Sequence, residues 1–252
     1  MEPVYTPVIW VARALFAAEG LKFTVTGAEN IPASGGAVLM MNHLSYFDFA
    51  YAGLAADHSK RLVRFMCKDT VFDHKIGGPL MRGMHHIPVD RTAGATSFRA
   101  AVNALRAGEV VGVFPEATIS RSFELKGFKS GAVRMAQAAG VPVVPMIIWG
   151  SQRVWTKGHP KRLGRTNVPI TLSVGEPILA ARTDNADDVN TQIRARMTEL
   201  LHAAQEAYPA VPHDELKYLP ARLGGCAPTL EEATALDDEE AVRRAARRPA
   251  AG

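Results

Sequence analysis

A histidine and an aspartate five positions apart follow a short apolar run near the start of the chain. The run is Ala37–Met41, and His43 and Asp48 come after it. An imidazole can act as a general base near neutral pH, and a carboxylate that accepts the proton of one ring nitrogen leaves the other nitrogen free. His43 and Asp48, an HX4D motif, are therefore candidates for a catalytic base and its orienting acid.

The spacing of this pair requires a turn in the chain. Residues five apart on a continuous helix are separated by about 140° and do not face each other. The apolar run is typical of a buried strand, and Ser45 with Asp48 resembles a capping box that opens a helix to about Ala56. We therefore place His43 in a strand-to-helix turn, where α/β sheets bind ligands.

A second interpretation of the pair stays open. His43 would then be an ordinary loop histidine, and Asp48 a first-turn acid that the helix dipole favours. The same spacing occurs at His85 and Asp90, but that run looks extended, so the two side chains would point to opposite faces. We interpret this second match as coincidental.

The composition excludes several classes of protein. Apolar residues make up 47% of the 252 and charged residues 21%, as in an ordinary globular protein. The two cysteines, Cys67 and Cys226, give no disulfide framework and fit a reducing compartment. The chain has no CxxC, HExxH, P-loop, GxGxxG or GxSxG pattern, so the usual metal, nucleotide and serine-hydrolase signatures are missing.

The charge is unevenly distributed. Residues 229–252 hold six acids and four arginines, a net charge of −2, so the total of +4 leaves +6 on residues 1–228. This excess indicates an anionic partner, such as phosphate, a membrane surface or nucleic acid, without choosing among them. The basic segment 153–165, which includes Trp155, is either a contact for lipid head groups or coenzyme A phosphates or a solvated loop.

The N-terminal residues predict a helix at a lipid interface. Residues 8–18 are apolar except for Arg13, but the run is shorter than the 18 or so residues of a spanning helix and lacks signal-peptide features. Trp10, Arg13 and Phe16 suit an interfacial helix, and a helix packed on the core is the alternative.

Alternating strands and helices predict an α/β fold. Predicted strands lie at 21–26, 37–41, 62–67, 85–89, 110–114, 143–149 and 170–174, with helices at 45–56, 96–107, 128–139 and 189–208 between or after them. We expect a single domain with a largely parallel or mixed central sheet flanked by helices. Its predicted parts are an N-terminal membrane-interface helix (1–20), the α/β domain (21–208) and a C-terminal helical appendage or flexible tail (209–252). Pro145 predicts an edge strand or a bulge.

Three ordered blocks carry a family resemblance. NHLSYFD, GMHHIPVDR and FPEATISRS resemble the glycerolipid acyltransferases, typified by 1-acylglycerol-3-phosphate acyltransferase. The stretches VTGAENIP, FKSGA and VPVVPMII around them are similar to that family as well. The resemblance covers residues 21–178.

The resemblance implies roles for individual residues. It makes His43 the catalytic base and Asp48 its orienting partner. It implies that five further residues bind the acceptor around the glycerol-phosphate site: Lys68, Arg91, Glu116, Thr118 and Arg121. Two positions depart from the family pattern: Ala117 replaces a glycine, and Ile119 stands where the phosphate-binding arginine is expected, so Arg121 is the candidate to replace that arginine.

The implied reaction moves an acyl group from an acyl-CoA or acyl carrier protein thioester to the free hydroxyl of 1-acylglycerol 3-phosphate, giving phosphatidic acid in phospholipid biosynthesis. No metal or cofactor is expected. Without GxSxG, no serine nucleophile is indicated, and the alcohol would attack the thioester directly. Backbone N–H groups in the turn or at the following helix start are expected to hold the oxyanion.

The expected partners and location follow from this reaction. They are a lysophospholipid acceptor, the thioester donor and the cytoplasmic face of the cell membrane, with peripheral association and no nucleic acid. The alternatives are an acyltransferase for another acceptor (glycerol 3-phosphate or a glycosylated phosphoinositide), a non-enzymatic basic membrane-binding domain, or a metal hydrolase using His43, Asp48, His85 and His86.

Overall fold

A seven-stranded sheet lies at the centre of the computed structural model, which describes residues 2–90 and 94–246. The strands are β1 Lys22–Thr26, β2 Ala37–Met41, β3 Val63–Lys68, β4 Ile87–Val89, β5 Val110–Val113, β6 Val143–Trp149 and β7 Pro169–Val174. Their order is β1-β7-β6-β2-β5-β3-β4, with β1 and β7 antiparallel to the other five. The predicted α/β fold with a mixed central sheet is confirmed.

Helices cover both faces of this sheet. They are α1 Tyr5–Ala18, α2 Asp48–His58, α3 Gly77–Gly83, α4 Gly94–Arg106, α5 Gly131–Ala139, α6 Ala186–Glu206 and α7 Leu230–Ala246. Val38 and Met40 of β2 pack with α4, α5 and α6, whereas Ala37, Leu39 and Met41 pack with α1 and α2. A central strand between two helical layers is apolar at every position, which explains the unbroken run of β2.

Parallel strands bring the three sequence blocks to one edge of the sheet. β2 ends two residues before His43, and β5 ends three residues before Glu116. β3 ends at Lys68, which is in register with Val89 at the end of β4. The carboxyl ends of these neighbouring strands form the edge where α/β sheets bind ligands.

Pro145 lies inside the sheet and not on an edge strand, because β6 pairs with β2 on one side and with β7 on the other. The second prediction, a bulge, agrees with the register. Met146 is opposite Val174 and Val143 is opposite Ile178, so three residues of the partner segment face two residues of β6. The extra residue lies where a proline, which has no N–H, donates nothing to the ladder.

The Gly-rich connection after β3 contains the short helix α3. A Cβ at Gly78 would lie 2.1 Å from the carbonyl oxygen of Phe72, so this close approach requires a glycine. The Arg82 guanidinium donates to the same carbonyl at 2.9 Å and closes the segment on itself.

The N-terminal helix has a buried face and an exposed apolar face. Tyr5 and Phe16 are buried, so Phe16 packs in the core and does not face outward as an interfacial residue would. Trp10, Val11 and Leu15 are 67%, 60% and 58% exposed. Within residues 2–90 and 94–246, no helix is long and apolar enough to cross a bilayer.

The segment after α6 is packed against the domain. Tyr218 and Ala227 belong to the core on the α6 face, and Glu215 pairs with Arg153 and Arg162 at 2.7 Å each. The predicted boundary at 209 therefore falls within packed structure. These ion pairs also occupy two cations of the basic segment 153–165.

Candidate active site

The turn between β2 and α2 brings His43 against Asp48. Asp48 Oδ2 is 3.0 Å from His43 Nδ1 and accepts the N–H groups of Leu44 and Ser45 at 2.6 and 2.7 Å. The Asp48 side chain is fully buried, whereas that of His43 is 22% exposed. When Nδ1–H donates to this carboxylate, the neutral ring has its basic lone pair on Nε2.

The start of α2 differs from the predicted capping box. The helix begins at Asp48 itself, and its preceding residue, Phe47, makes no side-chain cap. One half of the box is present, since the Asp48 carboxylate accepts the Ser45 N–H. The Ser45 hydroxyl accepts the Phe47 N–H at 3.2 Å and donates to the Trp155 carbonyl at 2.8 Å. The aspartate therefore orders the turn as well as the imidazole.

Two neighbouring segments hold the His43 backbone. The Asn42 side chain exchanges two hydrogen bonds with the Ile148 backbone of β6, at 3.0 and 2.7 Å. The His43 N–H donates to Glu116 Oε1 at 3.0 Å, and the His43 carbonyl accepts the Ser120 N–H at 2.8 Å. The backbone at His43 is thus held by neighbouring segments, independently of the imidazole.

The turn's N–H groups have partners inside the fold. The His43 N–H donates to Glu116, and the Leu44 and Ser45 N–H groups donate to Asp48. The Tyr46 N–H donates to the Trp155 carbonyl, and the Phe47 N–H donates to the Ser45 hydroxyl. The expectation that N–H groups of this turn hold an oxyanion is therefore wrong for this arrangement. The other expected donors, the N–H groups at the start of α2, stay a prediction.

Glu116 is buried and forms hydrogen bonds to the backbone of two loops. Its second oxygen accepts the Lys126 N–H at 3.2 Å. Burial raises the pKa of Glu116 to about 8, although the hydrogen bonds from His43 and Lys126 act in the opposite direction. Its predicted place around the glycerol-phosphate site stays a prediction, since both oxygens bind backbone in this structure.

Ala117 in the third block adopts a backbone conformation that favours glycine. Ala117 has a φ of 62°, a left-handed conformation that favours glycine and costs another residue about 1 kcal/mol. The family's glycine is explained by this conformation. Ile119 is buried, 5% exposed, so the position of the expected arginine points into the protein.

A largely apolar cavity of about 500 Å³ opens beside His43. The His43 ring stacks on Phe114, with ring centres 4.2 Å apart. Lys68 and Lys129 also line the cavity, and both are exposed, which puts them at its rim. The apolar wall is formed by Tyr46, Phe49, Phe65, Met66, Val71, Met81, Val89, Val113, Ala132 and Met135, among others.

The other predicted binding residues are distributed differently. Lys126 Nζ donates to the Thr118 hydroxyl at 2.6 Å. Arg121 pairs with Asp237 and Glu240 of α7, at 3.2 and 2.9 Å, and does not line the cavity. Arg91 lies outside the described residues, and its predicted contact with phosphate stays a prediction.

The metal-hydrolase alternative requires a cluster of metal ligands. Among residues 2–90 and 94–246, no three His, Cys, Asp or Glu side chains come together as a metal site. His86 is buried, and its Nδ1 accepts the Phe65 N–H at 3.1 Å.

Sequence reasoning missed several residues around this site. Asn42 directly precedes the predicted histidine, and its polar side chain after an apolar strand was the available signal. Phe114, which stacks on His43, and Lys129, at the rim, carried no signal beyond their place near the third block. The contact of α7 with Arg121 joins residues more than 100 positions apart, which no local pattern indicates.

Comparisons with known proteins identify the family of this chain. The family model described as Acyltransferase matches residues 22–149, which is 128 of the 252 residues. A 1-acyl-sn-glycerol-3-phosphate acyltransferase of Bacillus subtilis is 31% identical over 182 residues, covering 71% of this chain and 83% of that protein. A chloroplastic protein of the same name from Arabidopsis thaliana is 30% identical over 167 residues, but the chain spans only 45% of its length.

The fold also matches a crystal structure, the 1-acyl-sn-glycerophosphate (LPA) acyltransferase PlsC from Thermotoga maritima. The TM-score is 0.59 at 20% identity, covering 81% of this chain and 84% of that one. At this identity the likeness concerns the fold alone. From the family match over half its length and the Bacillus subtilis relative, the chain belongs to the acyltransferase family.

Proposed function

We propose that this protein transfers a fatty acyl group from a thioester to the free hydroxyl of 1-acylglycerol 3-phosphate, giving phosphatidic acid. The observation that carries the proposal is the His43–Asp48 pair on an apolar cavity with two exposed lysines at its rim. Apolar walls suit acyl chains, and ammonium groups at the rim suit phosphate. The names of the relatives support this acceptor.

The reaction follows from the chemistry of an imidazole next to a carboxylate. His43 Nε2 takes the proton of the acceptor hydroxyl as its oxygen attacks the thioester carbonyl carbon. A new C–O bond forms, the C–S bond breaks, and the imidazolium returns the proton to the leaving thiolate. Asp48 stabilises the imidazolium through Nδ1. No covalent acyl-enzyme, metal or cofactor is part of this proposal.

The test is acyl transfer by the purified protein. Radiolabelled acyl-CoA and acyl carrier protein thioesters are each supplied with lysophosphatidate, glycerol 3-phosphate, a glycosylated phosphoinositide or a monoacylglycerol, and the lipid products are separated. We expect phosphatidic acid from lysophosphatidate at the highest kcat/KM. Transfer to none of the four acceptors with either donor would contradict the proposal.

A different acceptor is the second candidate, and one observation favours it. Ile119 is buried where the resemblance expects an arginine, and Arg121 is paired with α7. A site without an arginine at position 119 makes one bidentate phosphate contact fewer, which weakens selection for the phosphate monoester of lysophosphatidate and favours an acceptor with a different head group, such as the phosphoinositide. Higher kcat/KM for glycerol 3-phosphate or the phosphoinositide in the same assay would establish this alternative.

Peripheral association with the cytoplasmic face of the cell membrane is proposed from α1. Trp10, Val11 and Leu15 present an apolar surface to solvent, of the kind that inserts into a lipid interface. Replacing all three with serine should abolish sedimentation with anionic phospholipid vesicles. The matched control replaces Ala14 and Ala17, also exposed on α1, with serine. Undiminished sedimentation of the triple variant would refute this role.

A further inference from the structure

A cluster of three cations lies next to the catalytic turn and is covered by two carboxylates of α7. The cations are Arg121, Lys126 and Lys157, which we call the cation cluster. Asp237 pairs with all three, with nitrogen–oxygen distances of 3.2, 2.5 and 2.7 Å. Glu240 pairs with Arg121 at 2.9 Å and with Lys157 at 2.6 Å.

This cluster is linked directly to the catalytic turn. Ser120, whose N–H binds the His43 carbonyl, immediately precedes Arg121. Glu116 accepts the N–H groups of both His43 and Lys126. A ligand of the cation cluster would therefore contact the loop that also binds the His43 backbone.

α7 is held by charge more than by apolar burial. Ala233 is buried, but the larger apolar side chains of the helix, Leu230, Leu236 and Val242, are 40%, 37% and 69% exposed. The side chains of the cation cluster and of its two carboxylates are only 12 to 22% exposed. The ion pairs are therefore the main shielded contacts between α7 and the site loops, and a competing anion can replace them.

The charges match those of a phosphate monoester. The Asp237 and Glu240 carboxylates together carry −2. A phosphate monoester carries about −1.5 to −2 at pH 7 and offers three strong acceptor oxygens. Arginine and lysine form charge-assisted hydrogen bonds with phosphate as they do with carboxylates.

We propose that α7 is an autoinhibitory strap whose Asp237 and Glu240 occupy a phosphate-monoester site formed by Arg121, Lys126 and Lys157. The inference deepens the proposed function, on which it rests, and adds a phosphate site outside the apolar cavity. The monoester belongs to the acceptor head group or to the 3′-phosphate of coenzyme A. Binding of either displaces the two carboxylates and loosens α7.

The first test is amide hydrogen exchange of the unaltered protein, followed by mass spectrometry over residues 230–246. Lysophosphatidate with a short acyl chain should accelerate exchange in α7, and the monoacylglycerol with the same chain should not. Coenzyme A compared with dephospho-coenzyme A identifies a donor source, and millimolar inorganic phosphate should give the same acceleration. Unchanged exchange with all three phosphate ligands, or equal acceleration by the monoacylglycerol, would overturn the strap.

The second test is the isosteric double variant Asp237→Asn/Glu240→Gln. The matched control is Asp238→Asn/Glu239→Gln, which makes the same charge change at exposed positions of the same helix. Removal of the internal competitor should lower KM about tenfold for the substrate whose phosphate binds the cation cluster, lysophosphatidate or acyl-CoA, with little change in kcat. The apparent affinity of that substrate rises with the open fraction of the protein. The control should match the unaltered protein. If the double variant and its control had equal KM values for lysophosphatidate and for acyl-CoA, the ion pairs would have a structural role only.

The two tests separate this inference from the proposed function. Absence of acyl transfer with every acceptor would contradict the proposed function alone. The exchange measurement with inorganic phosphate reports on the strap without any turnover.

Discussion

Two histidines line the same cavity, and their surroundings give them opposite properties. His43 is partly exposed and lies against the buried carboxylate of Asp48. His86 is buried between Tyr5 and Phe65, with ring centres 5.6 and 5.5 Å away. Burial, together with the nearby Arg64 cation, lowers the pKa of His86 to about 4. A histidine on a cavity is thus suited to base catalysis only where a carboxylate can stabilise its protonated form.

The same contrast explains the second HX4D match. His85 has a φ of 56° and is exposed, and it precedes the short strand β4. It does not line the cavity, whereas its neighbour His86 does. Spacing alone therefore does not distinguish a pair in contact from a coincidental match, but the turn and the buried acid do.

The largest effect should come from removing the imidazole. We expect His43→Ala to lower kcat for acyl transfer about 10³-fold or more, because the ring supplies the general base of the proposed reaction. The fold should persist, since Glu116 and Ser120 bind the His43 backbone and not its ring. Initial rates with radiolabelled acyl-CoA, together with thermal unfolding, check both points. More than a tenth of the original turnover in a folded variant would contradict the mechanism.

Asp48→Asn should have the next largest effect, about 10²- to 10⁴-fold in kcat with little change in KM, because an amide does not hold the imidazole in the productive tautomer. The control is Asp57→Asn at the other end of α2, where the side chain is 45% exposed and pairs with Arg13. That variant should retain full turnover. If Asp48→Asn lost less than threefold in kcat, the carboxylate would not be an orienting acid.

His86→Gln should alter the pH dependence of stability. The pKa of His86 is lower in the folded state, so its contribution is present above pH 6.5 and is lost as the pH falls towards 4. The shift corresponds to at most about 3 kcal/mol. Glutamine cannot titrate but can still accept the Phe65 N–H, so the free energy of unfolding should fall less between pH 7 and 4.5.

Urea unfolding at the two pH values measures this difference. The matched control is His58→Gln, which makes the same substitution at an exposed histidine, and the effect of His86→Gln is measured against it. An identical acid sensitivity of the His86 variant and the unaltered protein would mean that His86 does not titrate as its burial indicates.

The smallest effect is expected at His85. Asparagine tolerates the left-handed conformation, so His85→Asn should change the free energy of unfolding by no more than about 0.5 kcal/mol. Its kcat should stay within twofold of the unaltered protein, as measured by the same radiolabel assay. A loss of turnover comparable to that of His43→Ala would reverse the assignment of the two blocks.

Local patterns were sufficient for the strands beside His43 but not for the start of α2. The bounds of β2 and β6 agree with the predicted strands, and the chain turns between His43 and Asp48 as the spacing required. Pro145 was harder to interpret, because the bulge that accommodates it belongs to the segment after β7. The sequence shows that Pro145 has no N–H to donate, but it does not show which segment lies opposite it.

The sequence by itself determined the α/β succession of most strands and helices, the candidate pair His43 and Asp48 and the family resemblance, because each is encoded in residues close together along the chain. Only the tertiary structure decided the roles of Glu116 and Arg121. Glu116 binds backbone N–H groups of two loops, and Arg121 is neutralised by carboxylates more than 100 residues away. Burial and long-range pairing determine what a charged side chain binds, and both arise only when distant segments pack together.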